Sequence, residues 1–501
     1  MNEYPDNIKQ LWENRVHESP QKVFIIEKNK EYSYGMINKL ADKKVNVLIK
    51  LGINKGDLVA LQFELDIENI IMIIACIKLE VVINPLNPHF DIDEIQNLVM
   101  RFKPHAIIAQ HALRERDTFY NIEKLEDYSI SKFDDLKYFI RKKSSNLFRN
   151  YVNDIESPLL ILNTSGTSGL PKGVVLTNKN ILAAEYGYNS AFGITNTDMI
   201  LMPSGMYHAI GFHHGLISTI IAGSTMVIMR HYNLKEMATL IIKYPITYID
   251  SLPTVMYDIL YKLKSLNNLK MLICGGDKIK KSLLKKAKAR HIPLYNCYGL
   301  TEAVPFSYTP KKYFEEHGSI TTAVKPISNV DVRLIKNKIE ILQPNIQGMI
   351  EVRGSVLFKE YLGQPDKTPN AFDNGWFVTG DLGHYTSDNL IEVDGRSSDK
   401  IIRGGENISA HVVEDKIKNC NNVKDVAVLG VSDIRLGQRI GAFIVLKRPD
   451  LNMNKEKLIN ALKDNKVDKK LWPEKLWIVN SLPKTANGKI KKYILKQLAE
   501  E

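Results

Sequence analysis

Short apolar runs alternate with amphipathic helical segments from Asn2 to about Gly395. In one example, Met271–Cys274 leads through Gly275 and Gly276 into the amphipathic segment KIKKSLLKKAKAR. Strands that alternate with helices form mainly parallel sheets covered by helices. The pattern therefore predicts an α/β fold with mainly parallel sheets.

Two further changes of pattern indicate additional units. Between Val330 and Phe358 the sequence becomes strand-rich, which predicts a small β subdomain. After Arg396 three strand-like runs (DVAVLGV, RIGAFIVL and KLWIVN) are interleaved with helical patterns, as in a compact α+β domain. Because 501 residues exceed what one core usefully organises, we predict a large domain of residues 1–395 and a small one of residues 396–501.

Composition excludes several classes of protein. The cysteines are widely spaced without a CxxC pair, which argues against a disulfide framework or a zinc site and favours a reducing, cytoplasmic location: Cys76, Cys274, Cys297 and Cys420. The N-terminus MNEYPDNIKQ lacks the pattern of a signal peptide. The apolar stretch Ile70–Ile77 is too short to cross a bilayer, which takes roughly 20 residues. We expect a buried helix there and no integral membrane association.

The net charge is +12, and the segment from Ser397 onward has 21 Lys and Arg residues against 13 Asp and Glu residues. Such an excess fits nucleic acid, an anionic membrane surface or an acidic partner, although a solvated basic face is its commonest meaning. The sequence contains no recognised nucleic-acid-binding module, so we expect no nucleic-acid partner.

The segment Asn163–Gly173 (NTSGTSGLPKG) follows an apolar run and is rich in glycine and hydroxyl side chains. Exposed backbone N–H groups and the positive charge of Lys172 suit a polyphosphate. Pro171 stands where a Walker A loop requires its second glycine, so a P-loop kinase or GTPase is disfavoured.

This loop resembles the signature of the adenylate-forming (AMP-binding) superfamily, of the acyl-CoA synthetase or acyl-carrier-protein ligase type. Further matching motifs follow in family order and at family spacing over more than 300 residues: YNCYGLTE at 295–302, GWFVTGD at 375–381, DGR at 394–396, DKIIRGGEN at 399–407 and PKTANGK at 483–489. Weaker matches, LGINKGDLVALQ and INPLNP, extend the resemblance over nearly the whole chain.

The resemblance implies roles for individual residues. Tyr298 would stack on adenine, Asp381 would accept hydrogen bonds from the ribose hydroxyls, and Arg396 would contact ribose or phosphate. The remaining implied nucleotide contacts are Thr164, Ser165, Gly166, Thr167, Gly275, Gly276 and Gly299.

The implied catalytic residues are Lys172, Thr301, Glu302 and Lys489. Thr301 would contact the α-phosphate, Glu302 would help to hold Mg²⁺, and Lys489 would serve adenylation. A carboxylate together with phosphate oxygens is the ligand set that Mg²⁺ prefers. We predict no other metal.

The resemblance also implies a hinge near Ser398, where the family commonly has Asp or Lys. Rotation of the small domain there would withdraw Lys489 and present the loop Gly404–Gly405 to a slender thiol arm. Other departures from the family pattern are Leu79, Glu80, Asn178 and Thr321.

The implied activity is activation of a carboxylic acid by ATP and Mg²⁺ through an acyl-adenylate, followed by transfer to a thiol. The predicted thiol is that of CoA, which is the commoner acceptor for stand-alone chains of this size. Carrier-protein phosphopantetheine is the alternative, which the basic C-terminal segment slightly favours because a carrier protein is acidic. A luciferase-like oxygenation and a non-catalytic nucleotide-binding scaffold remain alternatives. The intact set of charged motif residues argues against the scaffold.

The resemblance assigns the acyl pocket to Met206–Gly215 and the region of Cys274–Asp277, with Tyr207, His208 and Gly211 as lining residues. This stretch contains no carboxylate to hold an amine and no arginine to hold a second acid group. Because burying an unpaired charge is costly, we predict a small acid with an uncharged tail. Glycines at 205, 211 and 215 predict room beside the histidines.

Overall fold

The computed structural model describes residues 5, 7–88, 90, 92–110, 127–133, 136–142, 148, 154–164, 172–266, 268–312, 321–403, 406–448, 453–484 and 490–500. Within these ranges the α-helices are α1 Ile8–Glu18, α2 Tyr34–Lys50, α3 Ile67–Leu79, α4 Ile92–Phe102, α5 Asn178–Phe192, α6 Ser218–Ala222, α7 Leu234–Lys243, α8 Pro253–Lys262, α9 Lys281–Ala289, α10 Ala410–Lys418, α11 Lys455–Asp464 and α12 Lys492–Glu500. A π-helix covers Ile210–Ile217, and short 3₁₀ turns cover Pro369–Ala371, Ser397–Asp399 and Lys469–Leu471.

In the described ranges, the first sheet has nine strands in the spatial order β16-β15-β14-β13-β12-β10-β11-β1-β2. Its strands are β1 Val23–Glu27, β2 Lys30–Ser33, β10 Met199–Met202, β11 Thr225–Ile228, β12 Tyr248–Ser251, β13 Met271–Gly275, β14 Leu294–Leu300, β15 Ala303–Tyr308 and β16 Lys325–Pro326. The six central strands pair in parallel: β14, β13, β12, β10, β11 and β1. The edge strands β2, β15 and β16 pair antiparallel.

The second sheet has eight described strands in the order β20-β9-β8-β4-β3-β5-β7-β6. They are β3 Leu58–Gln62, β4 Val82–Leu86, β5 Ala106–Gln110, β6 Tyr128–Phe133, β7 Leu136–Arg141, β8 Pro158–Thr164, β9 Lys172–Thr177 and β20 Glu360–Tyr361. Its centre is parallel, and β8 and β9 form an antiparallel hairpin. The predicted α/β class with mainly parallel sheets is confirmed.

The third sheet is antiparallel and contains the predicted β subdomain. Its described strands are β17 Val330–Lys336, β18 Ile339–Glu340, β19 Gly348–Gly354, β21 Phe372–Asp373, β22 Trp376–Tyr385 and β23 Ile391–Arg396. The sheet thus continues well past Phe358, where the strand-rich composition ends.

The fourth sheet follows the third in the chain. Its described strands are β24 Lys400–Arg403, β25 Glu406–Ser409, β26 Val423–Asp433, β27 Gly437–Leu446 and β28 Lys475–Ile478. The three strand-like runs predicted after Arg396 correspond to β26, β27 and β28. Helices α10 and α11 contribute Val413, Ile417, Leu458 and Leu462 to the same apolar core as these strands.

The buried helix predicted from Ile70–Ile77 is α3. Asp66 caps its N-terminus by accepting a hydrogen bond from the backbone N–H of Asn69, and Glu80 ends it in the left-handed conformation. All residues from Asn69 to Ile77 are buried, because α3 packs within the main apolar core. No helix among the described residues is both long enough and apolar enough to cross a membrane.

Candidate active site

Tyr298, Asp381 and Arg396 come together where the first and third sheets meet. The hydroxyl of Tyr298, on β14, donates a 2.6 Å hydrogen bond to Oδ2 of Asp381 on β22. Nε of Arg396, on β23, lies 2.9 Å from Oδ1 of the same carboxylate. Asp381 is only 5% exposed, so both contacts hold a largely desolvated charge. Three residues predicted separately to bind nucleotide therefore form one connected group.

The backbone before Asp381 fixes the direction of its carboxylate. Thr379 Oγ1 accepts a hydrogen bond from the Asp381 N–H at 3.0 Å and donates one to the Ile350 carbonyl at 2.8 Å. Gly380, between them, has φ of +74°, a conformation that favours glycine. Arg396 Nη1 donates to the Thr379 carbonyl at 3.0 Å, which ties β23 to the same turn.

Burial raises the pKa of the Tyr298 hydroxyl well above its ordinary value, and the adjacent Asp381 charge raises it further. Tyr298 is therefore a neutral hydrogen-bond donor at physiological pH. Its ring meets Phe306 edge-on with centroids 4.9 Å apart. An aromatic ring held in this way suits stacking against a purine.

Lys172 and Glu302 both contact Tyr361, a residue that the sequence did not single out. The Tyr361 hydroxyl donates a 2.8 Å hydrogen bond to Oε1 of Glu302. Nζ of Lys172 lies 4.4 Å from the centroid of the Tyr361 ring, a cation–π distance. Tyr361 therefore links the end of the phosphate loop to the predicted magnesium residue.

The pairing of distant strands explains why sequence reasoning missed Tyr361. Tyr361 pairs with Val174 on β9, two residues after Lys172, although the two strands are far apart in the chain. The signal available in the sequence was a lone aromatic in the short segment Glu360–Tyr361, outside any motif. Only the pairing of β20 with β9 gives that aromatic a role.

The predicted phosphate-binding segment Asn163–Gly173, called the phosphate loop here, joins the end of β8 to the start of β9. Thr164, at the end of β8, pairs with Lys172, at the start of β9, so the loop leaves and re-enters the sheet at one point. Ser165, Gly166 and Thr167 lie outside the described residues. Their predicted phosphate contacts stay predictions.

Gly275, Gly276 and Gly299 lie at the carboxyl ends of β13 and β14, beside Tyr298. A Cβ on Gly275 would come within 2.9 Å of the Cys297 carbonyl oxygen, and one on Gly299 within 2.8 Å of the Ala303 carbonyl oxygen. Gly276 has φ of +80°. These positions therefore require glycine for backbone packing, and binding sites in α/β sheets commonly occur at this edge.

Thr301 and Glu302 form the turn between β14 and β15, three and four residues after Tyr298. The turn is closed by the pairing of Leu300 with Ala303, which brings both side chains to the end of the strand that carries Tyr298. Glu302 joins the two groups, because it lies four residues after Tyr298 and accepts the hydrogen bond from Tyr361. The Tyr298 and Tyr361 groups are thus parts of one site.

A carboxylate at the edge of a nucleotide site fits Mg²⁺, which binds proteins through one or two carboxylates and takes further ligands from substrate phosphates and water. Glu302 is half-buried, and its Oε1 already accepts the Tyr361 hydrogen bond. Among the described residues there is no group of three or more His, Cys, Asp or Glu side chains able to hold a metal ion.

Tyr207, His208 and Gly211 lie together at the start of the π-helix, and their role in an acyl pocket stays a prediction. The rings of Tyr207 and His208 have centroids 4.4 Å apart. The predicted room beside the glycines is wrong. A Cβ on Gly205 would lie 2.2 Å from the Tyr207 ring, and one on Gly211 would lie 2.2 Å from the Gly205 carbonyl oxygen. These glycines permit close packing instead of opening space.

Although the stretch Met206–Gly215 contains no carboxylate of its own, a carboxylate from another element contacts the histidines of the π-helix. Glu185, from α5, places its two oxygens 3.3 Å from Nδ1 of His213 and 3.3 Å from Nδ1 of His214. Asp250, from β12, lies in the same buried region. Both are isolated acids within otherwise apolar segments, and that isolation is the signal that could have identified them.

Gly404, Gly405 and Lys489 lie outside the described residues, so their roles stay predictions. The residues on either side of them form β-pairings. Arg403 pairs with Glu406 across the β24–β25 hairpin, and Lys484 pairs with Ile490 in an isolated bridge.

The turn Ser397–Asp399, where the hinge is predicted, makes a contact that was not predicted. Lys492, on α12, places Nζ 3.1 Å from Oδ2 of Asp399 and 2.9 Å from Oε1 of Glu414. Asp399 belongs to the 3₁₀ turn that follows Arg396, and Glu414 belongs to α10. This ion triad joins the turn to two helices of the C-terminal segment.

Comparison with known proteins places this geometry in context. The profile of the AMP-binding enzyme family matches residues 12–362, and that of the AMP-binding enzyme C-terminal domain matches residues 412–489. The chain is 28% identical to a medium-chain fatty-acid–CoA ligase of Escherichia coli (strain K12), over 98% of this chain and 90% of that protein.

Solved structures share the whole fold. ATP-bound MatB from Rhodopseudomonas palustris superposes with a TM-score of 0.85 at 23% identity, covering 99% of both chains. O-succinylbenzoate coenzyme A synthetase from Bacillus subtilis, in complex with ATP and magnesium ion, gives 0.83 at 21% identity, over 98% of this chain and 99% of that one. With the family profile spanning most of its length and the nucleotide motifs joined in one site, this chain belongs to the AMP-binding enzyme family.

Proposed function

We propose that this protein is an acid–thiol ligase that uses ATP and Mg²⁺ to form an acyl-adenylate and then transfers the acyl group to CoA. The observation that carries the proposal is the connected site in which the Tyr298–Asp381–Arg396 group adjoins the Lys172–Tyr361–Glu302 group. The similarity to a CoA ligase over nearly the whole chain supports the same reaction type.

In the first half-reaction, a carboxylate oxygen of the acid attacks the α-phosphorus of ATP. The bond from that phosphorus to the oxygen bridging the α- and β-phosphates breaks, and pyrophosphate leaves. Because both reactants are anions, positioning and charge neutralisation supply most of the catalysis. Mg²⁺, bound with Glu302, supplies positive charge to the phosphates when it is present.

The protein's own groups divide this work. Tyr298 supports the adenine, and Asp381 orients the ribose. To accept hydrogen bonds from the ribose hydroxyls, the two Asp381 oxygens either give up their contacts with Tyr298 and Arg396 or accept the ribose bonds in addition to them. Lys172 and Lys489 bring positive charge to the phosphates, and Thr301 binds the α-phosphate. Tyr361 holds the Glu302 carboxylate in a fixed direction through its hydrogen bond.

In the second half-reaction, the thiol loses its proton and its sulfur bonds to the adenylate carbonyl carbon. The bond from that carbon to the phosphate oxygen breaks, and AMP leaves. We propose that the segment from Lys400 onward rotates relative to the segment up to Arg396 about the turn Ser397–Asp399, so that Gly404–Gly405 replaces Lys489 at the site. The order of the strands supports this division, because strands up to Arg396 belong to the first three sheets and described strands from Lys400 onward form the fourth.

The proposed substrate is a small carboxylic acid with an uncharged tail. No arginine or lysine occurs within Met206–Gly215 to pair with a second acid group. The buried Glu185 and Asp250 behind this stretch would repel such a group as well. Both features disfavour dicarboxylic substrates.

A screen for acid-dependent pyrophosphate release tests the proposal. Fatty, aryl and amino acids would be offered one at a time with ATP and Mg²⁺, followed by CoA or by a holo carrier protein. We expect AMP, pyrophosphate and an acyl-CoA thioester, identified by mass. Absence of acid-dependent AMP formation would overturn the adenylate reaction, and thioester formed only on the carrier would overturn CoA as the acceptor.

A further inference from the structure

Six polar side chains form a buried cluster behind the predicted acyl pocket. They come from three elements, α5, the π-helix and β12, and are Glu185, Tyr188, His213, His214, Tyr248 and Asp250. Glu185 and Asp250 are 0% exposed, and His213 is 1% exposed. Two carboxylates in an apolar core are expensive to bury, so the cluster calls for a role.

Contacts within the cluster satisfy some of its atoms. Glu185 lies between Nδ1 of His213 and Nδ1 of His214, at 3.3 Å from each. The Tyr188 hydroxyl donates a 2.7 Å hydrogen bond to Oδ2 of Asp250. The ring of His214 stacks on that of Tyr188 with centroids 4.3 Å apart and 10° between planes. These contacts hold the side chains in fixed directions.

Five buried atoms of the cluster have no hydrogen-bond partner in the described structure: Oε1 of Glu185, Nδ1 and Nε2 of His213, the hydroxyl oxygen of Tyr248 and Oδ1 of Asp250. Nε2 of His213 and Oδ1 of Asp250 are the two proposed as acceptors. Because the Glu185 carboxylate lies beside Nδ1 of His213, it favours the tautomer with the proton on Nδ1 and leaves Nε2 as an acceptor. Oδ1 of an ionised Asp250 is also an acceptor. Native cores rarely leave such atoms unpaired, so both atoms call for a donor.

The cluster lies next to the reaction site. Asp250 immediately precedes Ser251, which pairs with Cys274, the residue before Gly275. Cys297 immediately precedes Tyr298, and the pKa of its thiol is raised first by burial and then by the nearby Asp250 and Glu185 charges. The two acids are therefore close to the strand ends that carry the nucleotide residues.

The π-helix gives a second indication of function. It begins two residues after His208 and carries both histidines of the cluster. π-Helical turns are rare and are frequent at functional sites. A tail that leaves the α-phosphate and passes Tyr207 and His208 would follow this helix towards His213.

We propose that this cluster is the far wall of the acid pocket and selects acids that carry a hydrogen-bond donor at the end distant from the carboxylate. The inference rests on the proposed ligase function. His213 Nε2 and Asp250 Oδ1 would receive the donor, and Tyr188 and Glu185 position these two acceptors. A hydroxyl and an ammonium group both offer this chemistry. The hydroxyl keeps the tail uncharged, whereas the ammonium is matched by the two carboxylates.

Matched acids with four, six and eight carbons provide the test, each as the plain acid, the ω-hydroxy acid and the ω-amino acid. kcat/KM for acid-dependent pyrophosphate release would be measured with the full-length wild-type enzyme. We expect at least one donor-bearing acid to exceed its plain counterpart by roughly ten-fold or more, the discrimination of about one buried hydrogen bond. The better of the two donors identifies the source.

Equal or higher kcat/KM for the plain acids would overturn this inference while leaving the ligase function intact. Failure of every acid would instead refute the proposed function. The variants Asp250→Asn and His213→Leu should reduce the preference for the donor-bearing acid, with the change mainly in KM, and His213→Gln should retain part of it. A preference unchanged in all three folded variants would also overturn the proposal.

Discussion

At the scale of single residues, Tyr361 is the addition to the predicted phosphate site that the sequence did not indicate. Its hydroxyl orients Glu302 and its ring faces the Lys172 ammonium. The residue thus connects an anion and a cation that are both proposed to act on the phosphates of ATP. In the described structure, Lys172 and Glu302 form no hydrogen bond or ion pair with each other, and Tyr361 lies in contact with both.

Tyr361→Phe keeps the ring over Lys172 and removes only the hydrogen bond to Glu302. We expect the KM for Mg·ATP to rise roughly ten-fold, since a hydrogen bond to a charged group contributes about 1.5–3 kcal/mol. Steady-state pyrophosphate release at varied Mg·ATP measures it. Tyr232→Phe is the matched control, because Tyr232 donates a similar 2.6 Å bond to Asp258 on the surface. Equal effects of the two variants would contradict the role of Tyr361.

Asp381→Asn should weaken ATP binding about 10- to 100-fold, since the variant loses the charge that Arg396 and the ribose hydroxyls share. Titration calorimetry with ATP measures the affinity. Asp373→Asn, an exposed position on the neighbouring strand β21, serves as the control. An unchanged affinity in Asp381→Asn would refute the ribose assignment.

At the scale of elements, the sequence predicted what periodicity and local motifs encode. The buried helix α3, the strands β26, β27 and β28 and the glycine-bearing end of β13 follow from patterns within a few residues. The pairing of β20 with β9 and the meeting of α5, β12 and the π-helix depend on contacts between separate segments of the chain, which no local pattern specifies. For that reason Tyr361, Glu185 and Asp250 were missed.

Burial raises the pKa of Asp250 from its ordinary value to about 6, against the opposing effects of His214 and the Tyr188 hydrogen bond. The folded protein therefore holds this proton more tightly than the unfolded chain does. The resulting stability is present at low pH and is lost as the pH rises from about 4 through 6. Asp250 destabilises the fold at neutral pH.

Asp250→Asn removes this titration but keeps an acceptor for Tyr188. Relative to wild type, the variant should gain roughly 2 kcal/mol of unfolding free energy between pH 4.5 and 7.5, since one pKa unit corresponds to about 1.4 kcal/mol. Denaturant unfolding of both proteins at the two pH values measures it. Asp331→Asn, in an exposed pair with Arg353, should show no such change. A gain at low pH instead would reverse the assigned direction of the shift.

At the scale of the whole molecule, the proposed reaction divides between two arrangements of one chain. We propose that Lys489 acts only in the arrangement that forms the adenylate, and that Gly404–Gly405 act only in the one that forms the thioester. The two half-reactions should therefore respond separately to substitution.

Lys489→Ala should abolish acid-dependent pyrophosphate exchange and leave thioester formation from supplied acyl-adenylate largely intact. Isotope exchange measures the first, and thioester mass measures the second. Lys491→Ala, two residues away, is the control for a general loss of charge near the C-terminus. Equal loss of both half-reactions in Lys489→Ala would contradict the division.

The ion triad of Lys492 bears on how the chain can bend. Arg396 is fixed to the third sheet through Asp381 and Thr379, and Asp399 is fixed to α10 and α12 through Lys492. The backbone torsions of Ser397 and Ser398 lie between these anchors, so a reorientation of more than a hundred residues would be concentrated in about four rotatable bonds. Lys492→Met removes the anchor of Asp399, so the reorientation would spread over more backbone torsions. We expect the thioester step to slow roughly ten-fold, the equivalent of ~1.4 kcal/mol. The control is Lys484→Met, which breaks an ion pair with Asp425 within the fourth-sheet region and should leave the rate of the thioester step unchanged. Single-turnover thioester formation measures this rate in both variants.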